Sequence, residues 1–319
     1  MPLNEISIIT PTLNAAALLG ETLESLSSQN LKEVEHLLID ALSVDETLMV
    51  ARKFPHLTIV SENDRGIYDG MNKGARLASG EWLLFLQADD WLPEGALDAW
   101  REAIYKNPSA DILCGSAEAV RRNEGQWSRV WSVTDSASKK LTVENIALGE
   151  PMINARLIRR ELFLRLGGFS LEYSLASDRD FLLRAAEAGI IQQEIDALTY
   201  RYRWHAGSST MTEGNPLTAK LTRENLAIAK NHLKQTQGRA KAEERKVLRC
   251  WHTRLTVQAA MNALEACELR KLFEAAVDGS GENPVWLFWF VREIFVSLPG
   301  FFLRGGKTRS QLLRAEGGL

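Results

Sequence analysis

The chain has 319 residues, 45% of them hydrophobic and 25% charged, and a formal net charge of -3. That balance fits a globular protein whose core needs no disulfide or structural metal, and it argues against a general nucleic-acid-binding surface. Cys114, Cys250 and Cys267 match no metal-ligand or redox spacing and are expected to be free thiols in a reducing compartment.

The apolar run Ile6 to Ile9 predicts a strand ended by Thr10-Pro11-Thr12. No basic region with a long apolar stretch precedes it, so the expected compartment is the cytoplasm. Leu18 to Leu26 predicts an amphipathic helix, and Val34 to Asp40 a second strand that ends in a carboxylate. Met49 to Phe54 closes a helix, Leu57 to Val60 is a third strand, and Ile67 to Leu77 is helical. After Gly80 the strand Trp82 to Leu86 runs directly into Gln87-Ala88-Asp89-Asp90. Strands separated by helices predict an α/β fold with a largely parallel sheet covered on both faces. Ligands bind beyond the carboxyl ends of such strands. Three of the predicted strands end in polar groups: Thr12 and Asn14, then Asp40, then Asp89 and Asp90. Together they describe one side of one crevice.

From Asp111 to Gly149 there are short strand-like pieces, Ile112-Leu113-Cys114 and Ser128 to Val133, and no clear motif. Leu157 to Leu166 predicts a helix ended by Gly167-Gly168. Asp178 to Ala188 predicts another, capped by Ser177 and closed by Gly189. Leu198 to Trp204 predicts a strand, followed by the polar loop His205 to Thr212. Composition then shifts. Lys220 to Arg254 carries ten lysines and arginines against three glutamates on a helical pattern. Val285 to Leu303 is apolar and aromatic, but it is interrupted by Arg292-Glu293 and Pro299-Gly300, so a membrane span is disfavoured. The expected organisation is a domain over 1–215, a basic helical extension over 216–280, and an aromatic tail over 281–319.

The stretches Ser7 to Asn14, Ile39-Asp40 with Ser43 and Asp45, Ser61 to Gly74, and Gly80 to Asp90 carry a resemblance. Gly168-Phe169, Ala176 to Arg184 and Tyr202 to Thr210 continue it in the same order. The chain resembles the inverting family 2 glycosyltransferases of bacterial cell-surface polysaccharide synthesis, which have the GT-A nucleotide-diphospho-sugar transferase fold. The resemblance covers about the first two thirds of the chain and leaves the acceptor unspecified.

What the resemblance implies is a site for a nucleotide-sugar donor and a divalent cation, Mn2+ or Mg2+, which eases departure of the nucleotide diphosphate. Asp89 matches the metal-binding carboxylate of the family's Asp-X-Asp signature, with Asp90 beside it, while Gln87 and Ala88 fill its first two positions. Gln87 departs from the acidic residue usual there, although an amide still suits a ribose hydroxyl. Asp40 matches the carboxylate that accepts a hydrogen bond from the base, which favours an imide N–H such as that of uracil or thymine. The glycines common after that position are Ala41-Leu42 here. Pro11, Thr12 and Asn14 belong to the loop that holds base and ribose. Asp64, Arg65 and Lys73 are further nucleotide-site candidates that fit a solvated surface equally well.

Asp178 matches the catalytic base, the carboxylate that takes a proton from the acceptor hydroxyl, with Ser177 in place of the family's preceding Glu. Asp180 lies two residues on and so faces another side of the helix. Arg203 and His205 precede a loop that closes over the pyrophosphate in the family, with His205 as a metal or phosphate contact. Tyr200 to Trp204 resembles the Gln-X-X-Arg-Trp signature of processive synthases, but their multiple membrane spans are missing, which favours single-sugar addition. Relatives often carry His-Gln where this chain has Ile153-Asn154, so acceptor choice is not inherited.

The aromatic face of the tail, with Arg304, Lys307, Arg309 and Arg314, suits a helix lying in a membrane interface. A core helix or a dimer contact fits the same pattern. The overall expectation is an enzyme peripheral to the cytoplasmic face of the inner membrane, acting on a glycan or polyprenyl-linked acceptor. An inactive nucleotide-sugar-binding scaffold is the alternative that Gln87 and Ser177 would suit. A sugar-phosphate nucleotidyltransferase fits less well, because no glycine-rich triphosphate loop is present.

Overall fold

The computed structural model describes residues 5–123, 125–149, 152–205, 217–236, 242–265 and 268–292. The chain divides into two compact units, Met1–Ala206 and Gly207–Leu319.

The first unit begins with β1 (Ile6–Thr12), α1 (Ala16–Ser27), β2 (Val34–Asp40), α2 (Thr47–Ala51), β3 (Leu57–Ser61), α3 (Ile67–Leu77), β4 (Trp82–Phe85) and α4 (Ala96–Lys106). It continues with β5 (Ile112–Asn123), β6 (Gln126–Val133), α5 (Ser136–Lys139), α6 (Val143–Leu148), β7 (Arg156–Arg159), α7 (Arg160–Arg165), α8 (Ser177–Glu187) and β8 (Gln192–Trp204). Among the described residues these strands form one eight-stranded sheet in the order β3-β2-β1-β4-β7-β5-β6, with β8 paired to β5. β3, β2, β1 and β4 are parallel, β7 is antiparallel to both β4 and β5, and β8 runs parallel to β5.

Every residue of β1 is buried, Ser7, Thr10 and Thr12 included, as expected of a central strand covered on both faces, and these three hydroxyls find partners in Glu35, His36 and Asp40 of β2. The chain adds β2 and β3 on one side of β1 and then crosses to place β4 on the other. Such a reversal opens a crevice at the carboxyl ends of the two central strands. One face of the sheet is closed by Ile6, Ile8, Trp82, Leu84, Leu97, Trp100 and Tyr200. An aromatic group of Phe85, Phe163, Phe169 and Phe181 also packs together, the ring centroids of Phe163 and Phe181 being 4.9 Å apart. Gly74 lets α3 lie directly on β1, since a Cβ there would fall 2.4 Å from Ile9 Cγ2.

Three expectations change. Leu157 to Leu166 is not one helix: β7 fills the gap between β4 and β5, and only then does α7 begin. The strand pairing available to Leu157 and Ile158 overrides their helical spacing. Ser177 is not the cap of its helix. It is the first helical residue, and its hydroxyl donates to Ser170 O at 2.7 Å. β8 starts at Gln192 rather than Leu198, because its first residues find partners at the start of β5.

The second unit contains α9 (Leu217–Gln235), α10 (Ala242–Glu265) and α11 (Leu269–Glu282), and residues 286–292 are helical. Val257, Ala260, Ala275 and Trp286 form a core. Trp286 Nε1 donates to Thr256 Oγ1 at 2.9 Å, and Phe290 stacks on Trp286 with centroids 5.1 Å apart. The start of the aromatic tail is therefore divided: Trp286 packs inward while Leu287 and Phe288 remain exposed. The tail from Glu293 onward, with Arg304, Lys307, Arg309 and Arg314, lies outside the described residues, as do Cys267 and the loop from residue 206 to 216. No helix of the described residues is long and apolar enough to cross a membrane.

Candidate active site

The loops that follow β1, β2, β3 and β4 meet at one edge of the sheet. Asp40, the last residue of β2, is fully buried and accepts four hydrogen bonds. They come from Thr12 Oγ1 (3.2 Å), Ser43 N (3.1 Å), Ser43 Oγ (2.5 Å) and Ser61 Oγ (2.7 Å). These fill the lone pairs of both carboxylate oxygens. In this structure Asp40 therefore ties the ends of β1, β2 and β3 together, and an imide N–H reaches it only by displacing a hydroxyl. The Thr12 bond is the longest of the four. Asn14 braces the same loops: its N–H donates to Ser43 Oγ at 2.8 Å and its Oδ1 accepts from Val44 N at 3.0 Å. Leu42 has φ 59°, a left-handed conformation that explains why glycine suits this segment.

The candidates after β3 are engaged by neighbouring residues of the same segment. Arg65 Nε donates to Asp69 Oδ2 at 3.2 Å. Lys73 Nζ donates to Asn63 O at 2.5 Å and pairs with Glu62 at 3.0 Å. Asp64 Oδ1 accepts from Gly66 N at 2.9 Å. Its Oδ2 lies toward the end of β1: a Cβ on Gly70 would sit 3.1 Å from that oxygen and 3.5 Å from Pro11 Cβ.

After β4 the polar residues part company. Gln87 N–H donates to Tyr200 Oη at 3.2 Å, and Ala88 O accepts from Thr22 Oγ1 at 2.9 Å. Asp89 and His205 meet, with Asp89 Oδ2 2.9 Å from His205 Nε2 and each side chain about one-third exposed. Asp90 departs from the expectation that it binds metal. It is fully buried, and its oxygens accept from Tyr200 Oη (2.6 Å) and Arg203 N (2.8 Å). Burial, with the Asp89 charge beside it, holds its carboxyl well above the usual range. It locks β8 against the end of β4, with each oxygen engaged by a buried partner. The Arg203 guanidinium pairs with Glu21 at 2.9 Å and lies 4.9 Å from the Trp91 ring centroid.

An oxygen and an imidazole nitrogen side by side fit a divalent cation, with imidazole suiting Mn2+ better than Mg2+. Among the described residues no group of three His, Cys, Asp or Glu side chains gathers. The chain would thus supply Asp89 and His205, and phosphate oxygens and water the rest, the usual arrangement for such ions at diphosphates.

Asp178 stands in the first turn of α8. Its Oδ1 accepts from Arg179 N at 2.9 Å and from Tyr68 Oη at 3.0 Å. Its Oδ2 makes no hydrogen bond to the described residues. Desolvation raises its pKa above the ordinary carboxylate value, and the two donors partly oppose that. Asp180 is separate, held by Arg184 at 2.8 Å. Tyr68 is brought to Asp178 by Asn72, one turn further along α3, whose amide exchanges two hydrogen bonds with the Phe169 backbone (2.8 and 2.9 Å). Gly168 makes room for that exchange, since a Cβ there would lie 2.5 Å from Asn72 Oδ1. Sequence reasoning missed Tyr68 as a partner of Asp178. Its signal was a phenol in the first turn of a helix within an otherwise polar and glycine-rich stretch.

The model of Glycosyl transferase family 2 matches residues 7–167. A PGL/p-HBAD biosynthesis glycosyltransferase of Mycobacterium tuberculosis is 36% identical over 184 residues, which is 56% of this chain and 68% of that protein. An uncharacterized glycosyltransferase of Haemophilus influenzae is 30% identical over 182 residues, 56% of this chain and 61% of that one. Among solved structures, S. aureus TarS 1-349 in complex with UDP-GlcNAc superposes with a TM-score of 0.65 at 20% identity, covering 87% of this chain and 81% of that one. The mannosyltransferase PcManGT from Pyrobaculum calidifontis, in complex with GDP-Man and Mn2+, gives a TM-score of 0.57 at 20% identity, covering 90% and 83%.

Proposed function

The chain belongs to glycosyl transferase family 2 and is a glycosyltransferase of GT-A fold, and from that premise we propose that it transfers a single sugar from a UDP-sugar to a hydroxyl of a glycan acceptor. The observation that carries this reading is Asp178: a desolvated carboxylate with one oxygen held by two donors and the other open. Desolvation makes the carboxylate a stronger base, and the two donors fix its direction. Asp178 Oδ2 takes the proton of the acceptor hydroxyl as that oxygen attacks the anomeric carbon, and the configuration inverts. Asp40 receives the imide N–H of the base in place of the Thr12 hydroxyl, and Gln87 meets the ribose. A Mn2+ or Mg2+ ion, when bound at Asp89 and His205, stabilises the negative charge on the departing diphosphate. Bound UDP-GlcNAc in TarS, and GDP-Man with Mn2+ in PcManGT, are in keeping with a nucleotide-sugar donor and a cation.

A membrane-peripheral location for a polyprenyl-linked acceptor is also proposed. It is supported by the exposed apolar side chains Phe273 and Val277 of α11 and Leu287 and Phe288 beyond it. Cosedimentation with anionic vesicles, equal for wild type and Leu287→Ser/Phe288→Ser, would remove that support. The inactive-scaffold alternative fits poorly with the open oxygen of Asp178. The deciding experiment is a panel of UDP- and GDP-sugars with Mn2+, read as release of nucleoside diphosphate. Release from UDP-sugars that is lost in Asp178→Asn and Asp89→Ala is expected; release that survives both substitutions overturns the site assignment.

A further inference from the structure

β5, β6 and β8 present one sheet face beside the Asp89–His205 pair. Strand register puts Arg122 opposite Trp127, Val120 opposite both Arg129 and Arg203, and Glu118 opposite Arg201. Side chains of paired residues share a face, as do alternate residues along a strand. Trp91 joins them, because it bridges Arg201 through reciprocal backbone hydrogen bonds of 3.1 and 2.9 Å. The two indoles contact each other with centroids 5.0 Å apart. Arg203 Cζ lies 4.9 Å from the Trp91 centroid and 5.5 Å from that of Trp127, and Arg122 Cζ lies 5.8 Å from Trp127.

From this face we propose an acceptor subsite for an anionic sugar, a pyranose carrying a carboxylate or phosphate; the proposal rests on the glycosyltransferase reading above. Among the described residues, four arginines, Arg122, Arg129, Arg201 and Arg203, stand against two glutamates, Glu118 with Arg201 and Glu21 with Arg203. The chain as a whole is net negative, so this local excess of positive charge is not a reflection of composition. Arg122 and Arg129 are exposed, and their side chains make no hydrogen bond or ion pair with the described residues. A guanidinium resting on an indole keeps its in-plane N–H donors directed outward, the geometry that takes a carboxylate or phosphate in bidentate fashion. Trp127, 41% exposed, offers apolar surface for the C–H face of a sugar ring between these donors. The face is continuous with the candidate active site. Trp91 follows Asp90 directly, and Arg203 lies two residues before His205. An acceptor held here would meet the donor beside Asp89.

The test uses the full chain with UDP and Mn2+, with three probes titrated and followed by saturation-transfer NMR: methyl glucuronide, glucose 6-phosphate and methyl glucoside. The two charged probes are expected to bind at least about fivefold more tightly than the neutral one. That advantage should vanish in Arg122→Gln/Arg129→Gln and shrink with added salt, and Trp127→Ala should weaken all three probes. UDP affinity, measured in parallel, reports on folding and on the donor site. A preference for only one charged probe would decide between carboxylate and phosphate and would still support the proposal. Equal binding of charged and neutral probes, or no probe binding while UDP binds, overturns it. So does loss of UDP affinity in the arginine variant, which would assign the face to the donor. Failure of the wild type to bind UDP would instead remove the functional reading on which the proposal stands.

Discussion

Tyr68→Phe removes a single hydroxyl, and its consequence can be worked out from Asp178. The phenol donates to Asp178 Oδ1 at 3.0 Å, and Arg179 N donates to the same oxygen at 2.9 Å. A hydrogen bond to a charged group is worth about 1.5–3 kcal/mol net. Asp178 is only partly buried and keeps the Arg179 donor, so about 1.5 kcal/mol is the appropriate end of that range. The bond favours the ionised form, so removing it makes the carboxylate harder to ionise and moves the acid limb of activity to higher pH. Below the midpoint of that limb the variant should be about tenfold slower than wild type at equal pH, because 1.36 kcal/mol corresponds to a factor of ten. On the neutral plateau, where both are ionised, the deficit should stay below about threefold, because Arg179 still orients the base. The assay is the pH dependence of nucleoside diphosphate release at saturating donor. Superimposable acid limbs would refute this reasoning. They would mean that the Tyr68 proton is directed to Leu175 O, 3.2 Å away, or that Asp178 is not the ionising group.

Asp178→Asn should lower turnover by about 10²- to 10⁴-fold, the usual worth of a general base. The same variant should melt at a higher temperature at neutral pH. A carboxyl whose folded pKa lies above its unfolded value contributes stability at low pH that is lost as pH rises through the folded pKa. The difference from wild type should therefore widen with pH, and a constant difference would contradict the cause given. Asp90→Ala leaves Tyr200 Oη and Arg203 N without their acceptor and should cost about 2 kcal/mol in urea unfolding; an unchanged midpoint would remove its structural role. His205→Ala should raise the Mn2+ concentration for half-maximal release by about tenfold or more, the scale on which metal sites respond to their surroundings. An unchanged titration would take His205 out of the metal site. Leu42→Gly relieves a left-handed backbone and should raise stability by about 0.5–1 kcal/mol, read by thermal melting.

Much of the candidate site along the ends of β1, β2 and β4 was legible in the sequence, because strand ends, helix starts and their polar residues are local features. The fully buried run of β1, the carboxylate ending β2 and the acidic end of β4 follow from apolar runs meeting polar loops, and chain order places them along one edge. The division of labour among the carboxylates was not legible. Asp89 and Asp90 are neighbours with the same side chain, yet one meets His205, 116 positions away, and the other is sealed beneath Tyr200, 110 positions away. Likewise Asp178 gains its phenol partner only because Asn72 and Gly168 bring α3 onto the turn before α8, and Leu157-Ile158 becomes a strand only because β4 and β5 leave a gap between them. Burial, proton affinity and the clustering of Trp91, Trp127 and the arginines depend on which strands lie side by side. Local pattern fixes where a strand ends and with which residue; the pairing of distant strands decides which of those residues is exposed, which is desolvated and which are brought together.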